Sequence, residues 1–232
     1  MEFVGIVILV SFIVLYFLYQ NGYLRVRIKQ ETKENQIKVA CVGDSITYGY
    51  GIKNWPDNNY PKLLQNLLGD NYSVENFGVS GSCAANKHYL PYRKTKTYTE
   101  SLEYEADILI FMLGSNDSKP FNWTSKEQFK EDYLAILDTY TKDKEVKVYL
   151  CTISRAFFPR GRSTGMTTYG IQPKVIEEIV EIIKEIASEK NYNLIDINRL
   201  TYDNRQWFKD NVHPNNEGIL AIAKEIYENI KK

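Results

Sequence analysis

The chain has no surplus of positive charge. Its 29 Lys and Arg balance 29 Asp and Glu, for a formal net charge of zero. Nucleic-acid binding leaves a basic footprint, so that class of partner finds no support here. Cysteine is scarce, with three residues: Cys41, Cys83 and Cys151. An odd count at irregular spacing is not a disulfide framework, and no metal-ligand spacing accompanies it. Cys41 and Cys151 lie in or at the ends of apolar strand candidates and read as buried free thiols. Histidine is scarcer still, with His88 and His213 alone. Internal repeats and low-complexity segments are missing. The stretch Gly43–Gly51 matches neither G-x-G-x-x-G nor the P-loop pattern, which disfavours a phosphate-binding doubly wound protein.

What is present suits one globular body. Apolar residues make up 44% and charged residues 25% of 232 positions, enough for one α/β domain with a sizeable core. The 18 tyrosines read first as scattered half-buried side chains, and second as the lining of a sugar or acyl groove. Phe3–Tyr19 carries no charge. As a helix it would reach about 25 Å, just long enough for a bilayer core. Met1-Glu2 gives no basic n-region and Tyr19–Leu24 no A-x-A-like cleavage site, so an uncleaved single-pass anchor over residues 1–23 is expected at the cell membrane. Arg25, Arg27, Lys29 and Lys33 follow it. The positive-inside rule taken literally puts the body in the cytoplasm, although large domains translocate despite such charges. Residues 24–36 are polar and read as a stalk, and residues 37–232 as the domain.

That domain alternates strand and helix patterns. Strands are expected at Ile37–Val42, Tyr72–Phe77, Asp107–Leu113, Val146–Cys151 and Leu194–Ile197. Helices are expected at Tyr60–Leu68, Lys126–Tyr140, Pro173–Glu189 and Asn216–Ile230. Such alternation predicts βαβ units and a parallel sheet. Two long loops, Ser82–Glu105 and Ser154–Ile171, are candidates for function. The second contains Arg155, Phe157, Phe158, Arg160 and Arg162.

The chemistry centres on Gly43-Asp44-Ser45. An apolar strand ends there and would deliver Ser45 to the carboxyl edge of the sheet, where open α/β folds bind ligands. Serine needs a base and an orienter for it. His88 has no acidic residue close in sequence. His213 follows Asp210 by three residues, a spacing that lets a carboxylate reach the imidazole Nδ1 in a turn. That spacing makes Asp210 a better triad acid than Asp44. Alone, D-x-x-H equally describes a helix-capping turn, with Asn215 or Asn216 as the cap. Acyl transfer also needs donors for an oxyanion. Asn76–Gly81 and Gly114-Ser115-Asn116-Asp117 follow two further strands and supply glycine N–H groups and an amide side chain.

Four blocks in order, Gly43-Asp44-Ser45-Ile46, Asn76–Gly81, Gly114–Asp117 and Asp210–His213, make the chain resemble the SGNH hydrolases, the GDSL-type esterases and lipases. The match covers about Lys38 to Ile230, and Ile46 stands where the family name has Leu. The resemblance implies a flavodoxin-like three-layer α/β/α fold with a five-stranded parallel sheet. It implies Ser45 as nucleophile, His213 as base and Asp210 as orienter. The oxyanion donors would be the Ser45 N–H, the Gly81 N–H and the Asn116 side chain, with Gly78 as second choice to Gly81. Ser45 lacks the G-x-S-x-G elbow, which disfavours the larger α/β-hydrolase fold. The expected activity is that of a membrane-anchored serine esterase, needing no metal or organic cofactor. Its preferred substrate is a short acyl ester, acetyl first, on a carbohydrate. A lysophospholipase, a thioesterase and an O-acyltransferase using the same acyl-enzyme stay open as alternatives.

Overall fold

A computed structural model describes residues 2–24, 32–87 and 89–232. Five strands form one parallel sheet: β1 (Ile37–Gly43), β2 (Tyr72–Gly78), β3 (Ile108–Met112), β4 (Lys147–Cys151) and β5 (Asn193–Ile195), in the order β2-β1-β3-β4-β5. The helices are α1 (Glu2–Gln20), α2 (Ser45–Tyr48), α3 (Trp55–Asn58), α4 (Tyr60–Leu68), α5 (Lys96–Glu103), α6 (Lys126–Thr141), α7 (Pro173–Lys190), α8 (Ile197–Thr201) and α9 (Asn216–Lys231). α4 packs on α9 and α6 on α7, so the sheet is sandwiched in a three-layer α/β/α body. The central strands are apolar on both faces because both faces are covered. Val39–Val42 and Leu109–Phe111 have no measurable exposure. Cys41, Cys83 and Cys151 are buried free thiols.

The order reverses between β1 and β3, and that is where such sheets open a crevice at their carboxyl edge. β1 ends at Gly43 for a steric reason. A Cβ there would collide with the Met112 carbonyl oxygen and the Thr47 hydroxyl, so only glycine lets α2 fold back this tightly over the strand end. Asp44 caps α2, its Oδ1 accepting from the Ile46 N–H at 3.0 Å.

Four helices had little sequence signal. α2 and α3 are single turns of four residues, and α8 has five. α5 lies inside the stretch read as a long loop. Its sequence is polar, and its signal reduces to the Thr95 cap, which accepts from the Tyr98 N–H, and the Tyr98/Leu102 pair packed on the core. β5 stops at Ile195, two residues earlier than expected, because Asp196 caps α8 through the Arg199 N–H.

The expected membrane anchor and cell-membrane location are corrected. Among the described residues, no helix is long and apolar enough to cross a membrane. α1 is apolar, but its last turn is committed to the domain. The Tyr19 ring sits edge-on to Trp55 at 5.8 Å, Tyr23 packs on Tyr50 at 5.3 Å, and the Tyr48 hydroxyl donates to the Leu24 carbonyl. Ile6–Phe17 of α1 is apolar apart from Ser11 and is well exposed. Of the expected stalk, residues 25–31 lie outside the described residues. The end of that segment is no free linker: Thr32 bonds the Ser73 hydroxyl, and Gln36 donates to the Asp70 and Tyr72 carbonyls.

Candidate active site

The carboxyl ends of β1, β2 and β3 and the turn before α9 meet around one cavity of about 180 Å³. Ser45, Gly81, Asn116 and His213 line it, together with Tyr50, Ser80, Ser115, Lys119, Tyr169, Ile171 and Val212. Ser45 is the first residue of α2. Its Oγ lies 2.9 Å from His213 Nε2, and His213 Nδ1 lies 2.7 Å from Asp210 Oδ2. A carboxylate only accepts, so Nδ1 carries the proton. Nε2 is then the acceptor, and the Ser45 hydroxyl donates to it. Burial alone would raise the Asp210 carboxyl. The His213 ring and the Val212 and His213 N–H groups outweigh that and hold it below the usual carboxylate range.

The other two sequence blocks hold donors. Gly81 sits at φ +87, a left-handed turn conformation that glycine adopts without strain. Its N–H and that of Ser45 have no acceptor among the described residues. One hydrogen of the Asn116 amide goes to the Ser82 carbonyl at 3.0 Å, which leaves the second. Gly78 does not line the cavity, and its N–H donates to Asn76 Oδ1 at 2.9 Å. Asn76 in turn donates to the Thr47 carbonyl at 3.0 Å and holds the back of α2. His88 lies outside the described residues.

Several neighbours carried no legible signal. Tyr50 and Tyr169 each bring a ring centroid within 4.9 Å of the imidazole. Burial, then the charge of Asp210, pushes the Tyr169 hydroxyl up to about 12, so it stays a neutral donor. Tyr169 belongs to the long loop Ser154–Ile171, whose arginines and phenylalanines drew attention instead. The backbone at Phe157 and Phe158 braces the histidine turn from behind. The Phe157 N–H donates to the Asn211 carbonyl at 2.9 Å, and Arg205 bridges the Phe158 carbonyl and Asn211 Oδ1. Arg155 stacks over Tyr202 at 4.2 Å. Asn215 caps α9 through the Gly218 N–H.

Asp117 is fully buried and accepts from the Ala84 and Ala85 N–H groups at 3.0 and 2.8 Å, tying the β3 exit to the loop Ser82–Glu105. Burial pushes it up to about 7 despite those donors, and the nearby Asp44 carboxyl adds to the rise. A raised carboxyl keeps its proton in the folded state where the unfolded chain has lost it. Its contribution to stability therefore falls as pH rises from about 4, the ordinary Asp value, to about 7. Urea midpoints at pH 5 and 7.5 should show the wild type losing stability relative to Asp117→Asn. A constant difference across that interval would mean that Asp117 titrates normally.

A larger cleft of about 510 Å³, lined by Tyr98, Leu102, Ala106, Tyr140 and Val146 among others, opens near the amino ends of β3 and β4. It contains neither serine–histidine pair nor oxyanion donors of the kind described above.

The sequence profile of the GDSL-like lipase/acylhydrolase family matches residues 41–219. An acetylxylan esterase from Xylanibacter ruminicola is 34% identical over 219 residues, covering 86% of this chain and 44% of its own. This chain thus spans less than half the length of that relative. Among solved structures, a carbohydrate acetylesterase from Sinorhizobium meliloti superposes with a TM-score of 0.66 at 15% identity, covering 84% of this chain and 99% of that one. A lipase/acylhydrolase from Enterococcus faecalis gives 0.67 at 22%, covering 84% and 95%. At such identities the superpositions speak for the fold. The profile spans β1 to the first turn of α9, every block of the site included, and on that match the chain belongs to the GDSL-like lipase/acylhydrolase family.

Proposed function

We propose that this protein is a serine esterase that removes acetyl groups from a carbohydrate. The observation that carries the reading is the unbroken line from Ser45 Oγ through His213 to Asp210, at 2.9 and 2.7 Å. Ser45 Oγ attacks the ester carbonyl while its proton passes to His213 Nε2. Asp210 holds the ring and stabilises the imidazolium that forms. The tetrahedral oxyanion sits among the Ser45 N–H, the Gly81 N–H and the Asn116 amide, donors fixed in place before reaction. His213 then returns the proton to the leaving alcohol, leaving acetyl on Ser45. Water repeats the sequence, attacking with its proton passing to His213, and acetate leaves as Ser45 regains that proton.

Two facts support a short acyl group on a sugar. The cavity is small and framed by two tyrosine rings, and a 34% identical relative bears the name acetylxylan esterase. The test is acetate release from acetylated xylan, run beside p-nitrophenyl acetate, butyrate and octanoate. We expect acetate release, and kcat/KM at least ten-fold higher for the acetyl than for the octanoyl ester. A preference rising with chain length would overturn the acetyl assignment in favour of a lipid ester. Transfer of acetyl to added xylo-oligosaccharide in place of acetate release would make the protein a transferase.

A further inference from the structure

The site holds a cation that the ester reaction described above does not use. Lys119 lines the same cavity as Ser45 and His213, and none of the described residues lining it is acidic. Its backbone is fixed beside Asn116. The Lys119 N–H donates to the Asn116 carbonyl at 3.3 Å, and its own carbonyl accepts from Asn122 and Trp123 at 2.8 and 2.9 Å. Among the described residues, no carboxylate forms an ion pair with its ammonium. Burial lowers its pKa, and the field of the buried Asp44 carboxyl opposes this only in part. The Ser80 hydroxyl, which lines the same cavity, is shielded from water and has no hydrogen-bond partner among the described residues. A half-buried cation and an unpartnered hydroxyl in one cavity are left for a ligand to satisfy, since buried polar groups are costly without partners.

We infer that Lys119, with Ser80 lining the same cavity, selects an ester that carries a carboxylate, on either the acyl or the alcohol portion. The inference rests on the esterase reading and narrows it to anionic substrates. The ammonium and the hydroxyl both donate, and a carboxylate only accepts, so the pairing is chemically complete. Lys119 acts here on specificity and takes no part in the proton transfers.

Two paired comparisons separate the sources of the carboxylate. On the acyl side, mono-p-nitrophenyl succinate is set against p-nitrophenyl butyrate. On the alcohol side, acetylated xylo-oligosaccharides bearing glucuronic acid are set against unbranched ones. In one pair, the wild-type ratio of kcat/KM, anionic over neutral, should exceed that of Lys119→Gln by at least ten-fold. That ratio should shrink between 20 and 500 mM NaCl, as screening of a charge pair requires. Lys119→Glu should reverse the preference and favour acetylcholine over its neutral isostere, 3,3-dimethylbutyl acetate. Ratios that Lys119→Gln leaves unchanged in both pairs would overturn the inference while leaving the esterase reading intact. Failure of the esterase reading looks different: no ester turns over and a fluorophosphonate does not label Ser45.

Discussion

Ser45→Ala should remove ester turnover by a factor on the order of 10⁴ or more and leave the protein folded. The reason lies in how little else Ser45 does. Its side chain makes one hydrogen bond, to His213, and is small enough for alanine to fill the same space. Losing that bond costs about 0.5–1.5 kcal/mol, a shift of a few degrees in Tm for a chain of this size. The nucleophilic oxygen has no substitute, because Ser80 and Ser115 line the cavity but neither hydroxyl bonds His213. The check is p-nitrophenyl acetate hydrolysis, with fluorophosphonate labelling and a melting curve on the same preparation. More than one per cent residual activity in a folded Ser45→Ala protein would sink the assignment.

Asp210→Asn should be nearly as severe, close to 10⁴-fold in kcat, and harsher than its conservative appearance suggests. Asp210 Oδ1 accepts from two backbone N–H groups, Val212 at 2.9 Å and His213 at 2.8 Å. An asparagine there must keep its carbonyl oxygen on that side. Its NH₂ then replaces Oδ2 and points at His213 Nδ1. Two donors cannot face each other, so the ring gives up its Nδ1 proton and carries it on Nε2. Nε2 now faces Ser45 with a proton it must first lose, and the base is blocked. Asp210→Ala has no such lock and should retain more activity than Asp210→Asn. Measured kcat for the two variants decides it: equal losses, or a milder loss for asparagine, would mean that His213 is oriented by other contacts.

Much of this arrangement was legible in the chain. Val39–Val42 of β1 and Ile108–Met112 of β3 announce themselves as unbroken apolar runs, and each strand ends where a small polar block begins. Asp210 and His213 belong to one turn, so their spacing permits the contact, and the other three blocks in order single it out from an ordinary capping turn. What stayed hidden has common physical causes. Tyr50 and Tyr169 reach the imidazole from separate loops, and nothing local distinguishes them from the other tyrosines. Lys119 ends the 3₁₀ turn Asn116–Ser118 in an extended conformation, and that backbone path, not a side-chain pattern, carries the group to the cavity. The loop Ser154–Ile171 was a candidate for function, and the residue it brings to the imidazole is Tyr169, while its Arg155 stacks on Tyr202. Asp117 looked like the last letter of a motif and serves as a buried staple. Phe3–Tyr19 misled for a different reason. Hydropathy counts residues, but docking of Tyr19 and Tyr23 commits the end of the helix to the domain.

The three-residue interval between Asp210 and His213 also limits how the site can move. In a triad whose members stand on three separate loops, three independent motions can spoil the alignment. Here the acid grips both the ring and the backbone N–H of the same histidine. Those two members travel as one rigid piece, braced from behind by Phe157 and Arg205. A single internal coordinate is left to adjust, the distance from that piece to Ser45. Loops elsewhere around the cavity are then free to diverge in sequence, and so in substrate, without disturbing the proton path.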